Sequence, residues 1–179
     1  MLMKKAGLIG GMSWESTVPY YKIINEVIGQ QLGGLYSADC ILHSINFYEI
    51  ESTISKGNWD KSNELLANAA ESLENAGADF IGICSNTMHK CLPAIKKKVN
   101  LPIVHIVDAT VEEMKREGMS EGLLLGTRFT MEESFNKERF YKNGVNIIIP
   151  SLEERQLVHD ICLLYTSPSP RDYTASRMP

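Results

Sequence analysis

The chain has 179 residues and a mass of 20.0 kDa, with a net charge of −4 at pH 7 and a pI near 5.6. That length holds one medium domain or two small ones, and 44% hydrophobic with 22% charged residues is the balance of a globular core. The acidic balance gives no electrostatic case for nucleic acid or an anionic membrane, and no apolar run reaches the roughly 18 residues of a spanning helix. The start, Met1 to Gly10, superficially resembles a signal peptide, but its apolar part is short and breaks at Gly10-Gly11. Cys40, Cys84, Cys91 and Cys162 lack metal-ligand spacing, so no metal is expected and free thiols in a cytoplasmic protein are.

Apolar runs and helical periods alternate along the chain. Lys5 to Gly10 reads as a strand and Val18 to Leu32 as a helix, with Tyr21, Ile24, Val27 and Ile28 at helical spacing. Cys40 to Ile45 is a second strand, and Trp59 to Ala76 an amphipathic helix that Gly77 stops. Ile81 to Cys84 is a third strand, Met88 to Lys98 a helix, Ile103 to Val107 a fourth strand and Ala109 to Glu117 a helix. The theme restarts with Leu123 to Gly126, a helix from Met131 to Asn143, Val145 to Ile149, and helical character from Arg155 to Ile161. Such alternation predicts α/β architecture with mostly parallel sheets. The break at Glu117-Gly118 sets a first domain at 1–117 and a partial second domain at 118–161.

From Cys162 to Asp172, eleven residues translate a DNA string that looks like a transposase-end adapter from sequencing-library preparation. Ser176-Arg177-Met178-Pro179 fits that adapter's continuation in the same frame. Residues 162–179 are therefore expected to be a non-native tail, the alternative being a natural Pro/Ser-rich segment.

Three strand-to-helix turns carry the candidate chemistry. Gly10-Gly11-Met12-Ser13-Trp14-Glu15-Ser16-Thr17 brings backbone close to a ligand and presents a helix start, but it does not have the G-x-G-x-x-G dinucleotide spacing. Taken alone, a tight turn capped by Ser13 or Ser16 is the simpler reading; beside the Cys84 turn the balance shifts to a ligand crevice. Cys84-Ser85-Asn86-Thr87-Met88-His89 places a thiol at a strand end, followed by a hydroxyl, a carboxamide and a second hydroxyl. A thiol there can carry a proton, and the polar side chains with the helix start can hold a carboxylate. Taken alone, Cys84 would read as a small buried hydrophobe; the polar run behind it favours a lined pocket. Cys91 reads as a packing or surface residue, Cys40 as a core residue, and His105, inside the fourth strand, as a core histidine. His89 is open between contacting Cys84 or a carboxylate and a structural hydrogen bond. Gly126-Thr127-Arg128-Phe129-Thr130-Met131 repeats the logic, with Thr127 towards a cleft and Thr130 with Glu133 as a capping box. Trp14 and Trp59 are expected to pack.

Together these three turns, with Leu32-Gly33-Gly34-Leu35 and His105-Ile106-Val107-Asp108-Ala109-Thr110, resemble the aspartate/glutamate racemase family, nearest its aspartate and broad-specificity amino-acid racemase branch. The resemblance implies two similar Rossmann-like domains with the site between them. It implies cofactor-independent racemisation in which two opposed cysteines work, one as thiolate removing the α-proton and the other returning a proton. Cys84 matches the first; Ser85, Asn86 and Thr87 match residues that hold the substrate, with Met12, Ser13 and Thr127 lining the same cleft. The second cysteine of the family lies in a later Gly-Cys-Thr-Glu-type turn, which these residues do not contain, so the second domain is expected to be incomplete and the chain inactive. Ile54 stands where some relatives carry a polar residue near the distal carboxylate. The partner implied is a small amino-acid or dicarboxylate substrate, with a homodimer among the options. A dicarboxylate isomerase or decarboxylase, and a non-enzymatic carboxylate-binding protein of the same fold, remain as alternatives.

Overall fold

The computed structural model describes residues 3–166, so residues 167–179 of the expected non-native tail lie outside the described residues. Packing divides the chain into two units between His105 and Ile106. The first contains a parallel sheet of β1 (Ala6–Gly10), β2 (Cys40–Ser44), β3 (Phe80–Ile83) and β4 (Ile103–Val104) in the order β2-β1-β3-β4. Ala6 stands opposite Cys40 on one side and Phe80 on the other, and Gly82 stands opposite Val104. The chain thus moves outward from β1 to β2, then returns past β1 to build β3 and β4. The reversal falls between β1 and β3, and in open α/β sheets ligands bind beyond the carboxyl ends of the strands at such a switch point.

β1 is buried along its whole length, as a central parallel strand covered on both faces must be. One face packs under α3 (Trp59–Asn75), whose Leu66, Ala69, Ala70 and Leu73 recur at helical spacing and meet Ile9, Ile81 and Ile83. Ile95 of α4 (Leu92–Lys98) and Ile50 of α2 (Phe47–Ile54) complete that cluster. Each fully buried aliphatic stabilises by about 1.5–3 kcal/mol relative to exposure. α3 begins where the Asn58 side chain accepts the Lys61 N–H and ends before Gly77, which takes φ +85°. α1 (Trp14–Leu32) packs against β1 and leaves Tyr21, Val27 and Leu32 exposed.

The second unit pairs β5 (Glu121–Leu123) with β6 (Asn146–Ile148), again in parallel, beside α5 (Ile106–Arg116) and α7 (Ser134–Lys142). Val107, Val111 and Met114 form the inner stripe of α5 and meet Phe140, Val145 and Ile147. Asp108 receives both Nε and Nη2 of Arg139 at 2.6 Å, joining the two helices by a bidentate ion pair. α6 (Arg128–Glu132) packs against α8 (Leu152–Thr166).

Several sequence expectations are corrected. The fourth strand stops at Val104 rather than Val107, because Val107 turns into the apolar stripe of α5. The division between the units accordingly lies at His105/Ile106, upstream of Glu117-Gly118, with all of α5 in the second unit. The helix expected from Met88 to Lys98 is a 3₁₀ turn over Thr87–Cys91 followed by α4. The helix expected from Met131 to Asn143 is two, because Glu133 is extended (φ −66°, ψ 143°) and ends α6 before α7 begins. Thr130 is therefore no cap: it lies buried inside α6, whose N-cap is Thr127. α2 was not anticipated, and α8 runs through Cys162 to Thr166, into the segment expected to be non-native. Trp14 is 59% exposed rather than packed.

Candidate active site

The switch point between β1 and β3 is built by the two glycine- and cysteine-bearing turns. Gly10 ends β1 under Thr17, whose hydroxyl would lie 2.8 Å from any Cβ placed there. Gly11 takes φ +84° and its amide donates to Thr17 Oγ1 at 2.9 Å, so the turn folds back on the first helical turn of α1. A Cβ on Gly11 would meet the Ile45 backbone, with the Ile45 nitrogen at 2.7 Å. Ser13 is the N-cap of α1 in extended conformation, yet its side chain makes no capping bond. Its Oγ is buried without a hydrogen-bond partner, and so are both carboxylate oxygens of Glu15, a residue that the sequence motif contained but gave no role. Met12 is buried beside Ser13.

Cys84 follows β3 directly. Its N–H donates to the Ile9 carbonyl at 2.9 Å, carrying the β1–β3 pairing one residue past the strand. Ser16 Oγ shares its one O–H between the Cys84 carbonyl at 3.1 Å and the Ser13 carbonyl at 2.9 Å, tying the two turns together. Cys84 itself is 0% exposed, and burial pushes its thiol up to about 12 from an ordinary value of 9.0. The resting side chain is a neutral thiol. Tyr20, one turn beyond Ser16 on α1, has its phenol raised by burial and, to a lesser degree, by Cys84. Sequence reading missed Tyr20, and the i, i+4 spacing from Ser16 is the signal that would have found it.

Beyond Cys84 the surface opens. Ser85 and Thr87 are half-buried and Asn86 is exposed, with no cap bond from the Asn86 side chain. Met12, Ser13, Cys84, Ser85, Asn86 and Thr87 thus share one edge of the first unit. Thr127 belongs to the second unit, in the turn after β5, with its hydroxyl 3.3 Å from that of Thr130. Ile54 packs, partly buried, against the apolar cluster. Cys91 is 0% exposed inside that cluster, and burial raises its thiol to about 12 as well. Cys40 begins edge strand β2 half-buried, and Lys90 caps the ring of Trp59 with Nζ 4.0 Å from its centroid. No group of three His, Cys, Asp or Glu among the described residues is placed to hold a metal ion, and no described helix is long and apolar enough to cross a membrane.

The sequence from residue 9 to residue 175 matches the Asp/Glu/hydantoin racemase family. The chain belongs to that family. A broad-specificity amino-acid racemase, RacX of Bacillus subtilis (strain 168), is 27% identical over 147 residues, covering 79% of this chain and 63% of the relative. The chain therefore spans somewhat under two thirds of that relative's length. A Yersinia pestis crystal structure, provisionally assigned as an Asp/Glu racemase, superposes with TM-score 0.86 at 46% identity, over 98% of this chain and 78% of that one. An aspartate racemase homologue from Pyrococcus horikoshii OT3 gives TM-score 0.80 at 36% identity, over 89% and 70%. The α/β fold with parallel strands is thus common to this racemase-family chain and its structural neighbours.

Proposed function

We propose that this chain carries one half of a cofactor-independent amino-acid racemase site, with aspartate or glutamate as substrate. The observation that carries the reading is Cys84, a buried thiol at the β1–β3 switch point, immediately followed by the Ser85-Asn86-Thr87 turn, in which Asn86 is exposed. An α-proton is weakly acidic, so its removal needs an oriented carbon and a partly neutralised carboxylate. Asn86 and Thr87 supply side-chain donors for the α-carboxylate, with Ser85, Met12 and Ser13 shaping the edge. Inversion requires an acid and a base on opposite faces of one carbon, exchanging roles with direction. Burial keeps Cys84 protonated before substrate arrives, and it serves as base or as acid according to the direction of the reaction. Cys162, the sole cysteine of the second unit, lies on α8 rather than at a strand end, so it does not fill the opposing role. The 179 residues by themselves are then inactive.

The test uses a polypeptide extended to the length of the relatives. Cys84→Ala lowers racemisation of aspartate or glutamate by about 10²–10⁴-fold, the usual scale for a positioned proton-transfer group, while Cys91→Ala changes it little. Near-full activity of Cys84→Ala overturns the assignment, and measurable turnover by the present chain overturns the claim that the opposing group is missing.

A further inference from the structure

His89 has a role that the turn's geometry defines. In an α-helix the Ser85 carbonyl would accept the backbone N–H of residue 89, four positions on. Here the segment is a 3₁₀ turn, and the His89 N–H is diverted to the Asn86 carbonyl at 3.3 Å. The His89 side chain takes the vacated position, with Nδ1 2.8 Å from the Ser85 carbonyl oxygen. A carbonyl only accepts, so Nδ1 carries the proton. The ring is 3% exposed and lies against His105, itself 4% exposed, with centroids 4.4 Å apart and planes tilted by 54°. His105 follows β4, so the pair joins the carboxyl ends of β3 and β4 directly beneath the turn.

We propose that His89, backed by His105, is a positioning residue that holds the Ser85 carbonyl at the entry to the Thr87–Cys91 3₁₀ turn, and so keeps Asn86 and Thr87 aimed at the substrate carboxylate; this rests on the amino-acid reading above. The bond replaces one that an α-helical turn would make with backbone alone. Without it, the Ser85 carbonyl is left unpaired or the turn winds on into α4, re-aiming Asn86. Preorganised donors lose most of their value when misaimed, so the cost falls on ligand binding.

The experiment uses the polypeptide extended to the length of the relatives and two variants of it that differ in where they return a donor. The amide nitrogen of Asn falls near the position of Nδ1, and that of Gln near Nε2. L-aspartate binding is measured by calorimetry, and the imidazole ¹⁵N spectrum of the parent reports its tautomer. His89→Asn is expected to bind aspartate within about threefold of the parent, and His89→Gln about tenfold or more weaker, the scale of one lost hydrogen bond to a buried group. The His89 signal is expected to show a protonated Nδ1. Parent-like binding by His89→Gln, equal loss in both variants, or an unprotonated Nδ1 overturns the proposal. The tautomer is read on the parent, so it decides even where a variant fails to fold. If the parent binds neither aspartate nor glutamate, the substrate reading falls and with it the purpose given to the turn, while the Nδ1 signal still decides whether the ring closes it.

Discussion

Raising the pH tests the buried state of Cys84 without any substrate. In the unfolded chain the thiol ionises near 9.0, and in the folded protein burial pushes it up to about 12. Between those values the unfolded state has lost its proton and the folded state has kept it, so stability falls as pH rises. The contribution is fully present below pH 9 and is lost progressively towards pH 12. One unit is worth about 1.4 kcal/mol, so one thiol costs about 1.4 kcal/mol by pH 10, about 2.7 kcal/mol by pH 11 and about 4 kcal/mol over the whole interval. Cys91, Cys40 and Tyr20 are raised too and steepen the loss, so the parent alone is not diagnostic. The difference between the parent and Cys84→Ala isolates the single thiol. Urea unfolding followed by the fluorescence of Trp14 and Trp59, both in the first unit, measures it. The stability advantage of the parent over Cys84→Ala should shrink by about 1.4 kcal/mol from pH 8 to 10. A difference that stays constant up to pH 11 would refute the argument, because Cys84 would then ionise in the folded state as easily as in water.

Two further substitutions probe each unit separately. Gly11→Ala places a methyl group against the Ile45 backbone at a φ of +84°, so chemical denaturation should show a loss of about 3 kcal/mol or more; a loss under 0.5 kcal/mol would contradict the turn. Asp108→Asn removes the charge from the pair with Arg139, whose side chains are 40% and 34% exposed, so about 0.5–1 kcal/mol should be lost at low salt and little in 1 M salt. Hydrogen exchange should place that loss in α5 and α7; unchanged protection of both helices would contradict the role given to the pair.

The strands with dense apolar runs and the helix stopped by Gly77 were legible because local pattern and burial agree in them. Leu66, Ala69, Ala70 and Leu73 are spaced for one helix face and do lie against the sheet. The misplaced boundaries come from residues whose role is tertiary. Ile103 to Val107 is a plausible strand by composition, yet Val107 is claimed by the core of the other unit and only Ile103 and Val104 pair. Met88 to Lys98 has helical composition throughout, and nothing local announces that the His89 side chain would displace its own backbone N–H from Ser85. α2 was hidden because eight residues starting at an Asn46 cap carry too short a period to stand out.

The choice between Cys84 and Cys91 shows what each kind of information can decide. Both thiols are fully buried, and both are raised to about 12 by the same cause. Burial and acidity therefore rank neither above the other, and a perturbed pKa alone would nominate both. What separates them is topology. Cys91 belongs to the apolar cluster with Leu66, Leu73 and Ile95, where a thiol serves as a small hydrophobe. Cys84 lies outside that cluster, its carbonyl held by Ser16 from the neighbouring turn and its successors opening towards solvent at the switch point. A raised pKa at a site that opens towards a ligand becomes adjustable, because an arriving ammonium favours the thiolate by direct charge attraction. The same shift inside an apolar cluster has no such counterpart, and the thiol there stays protonated.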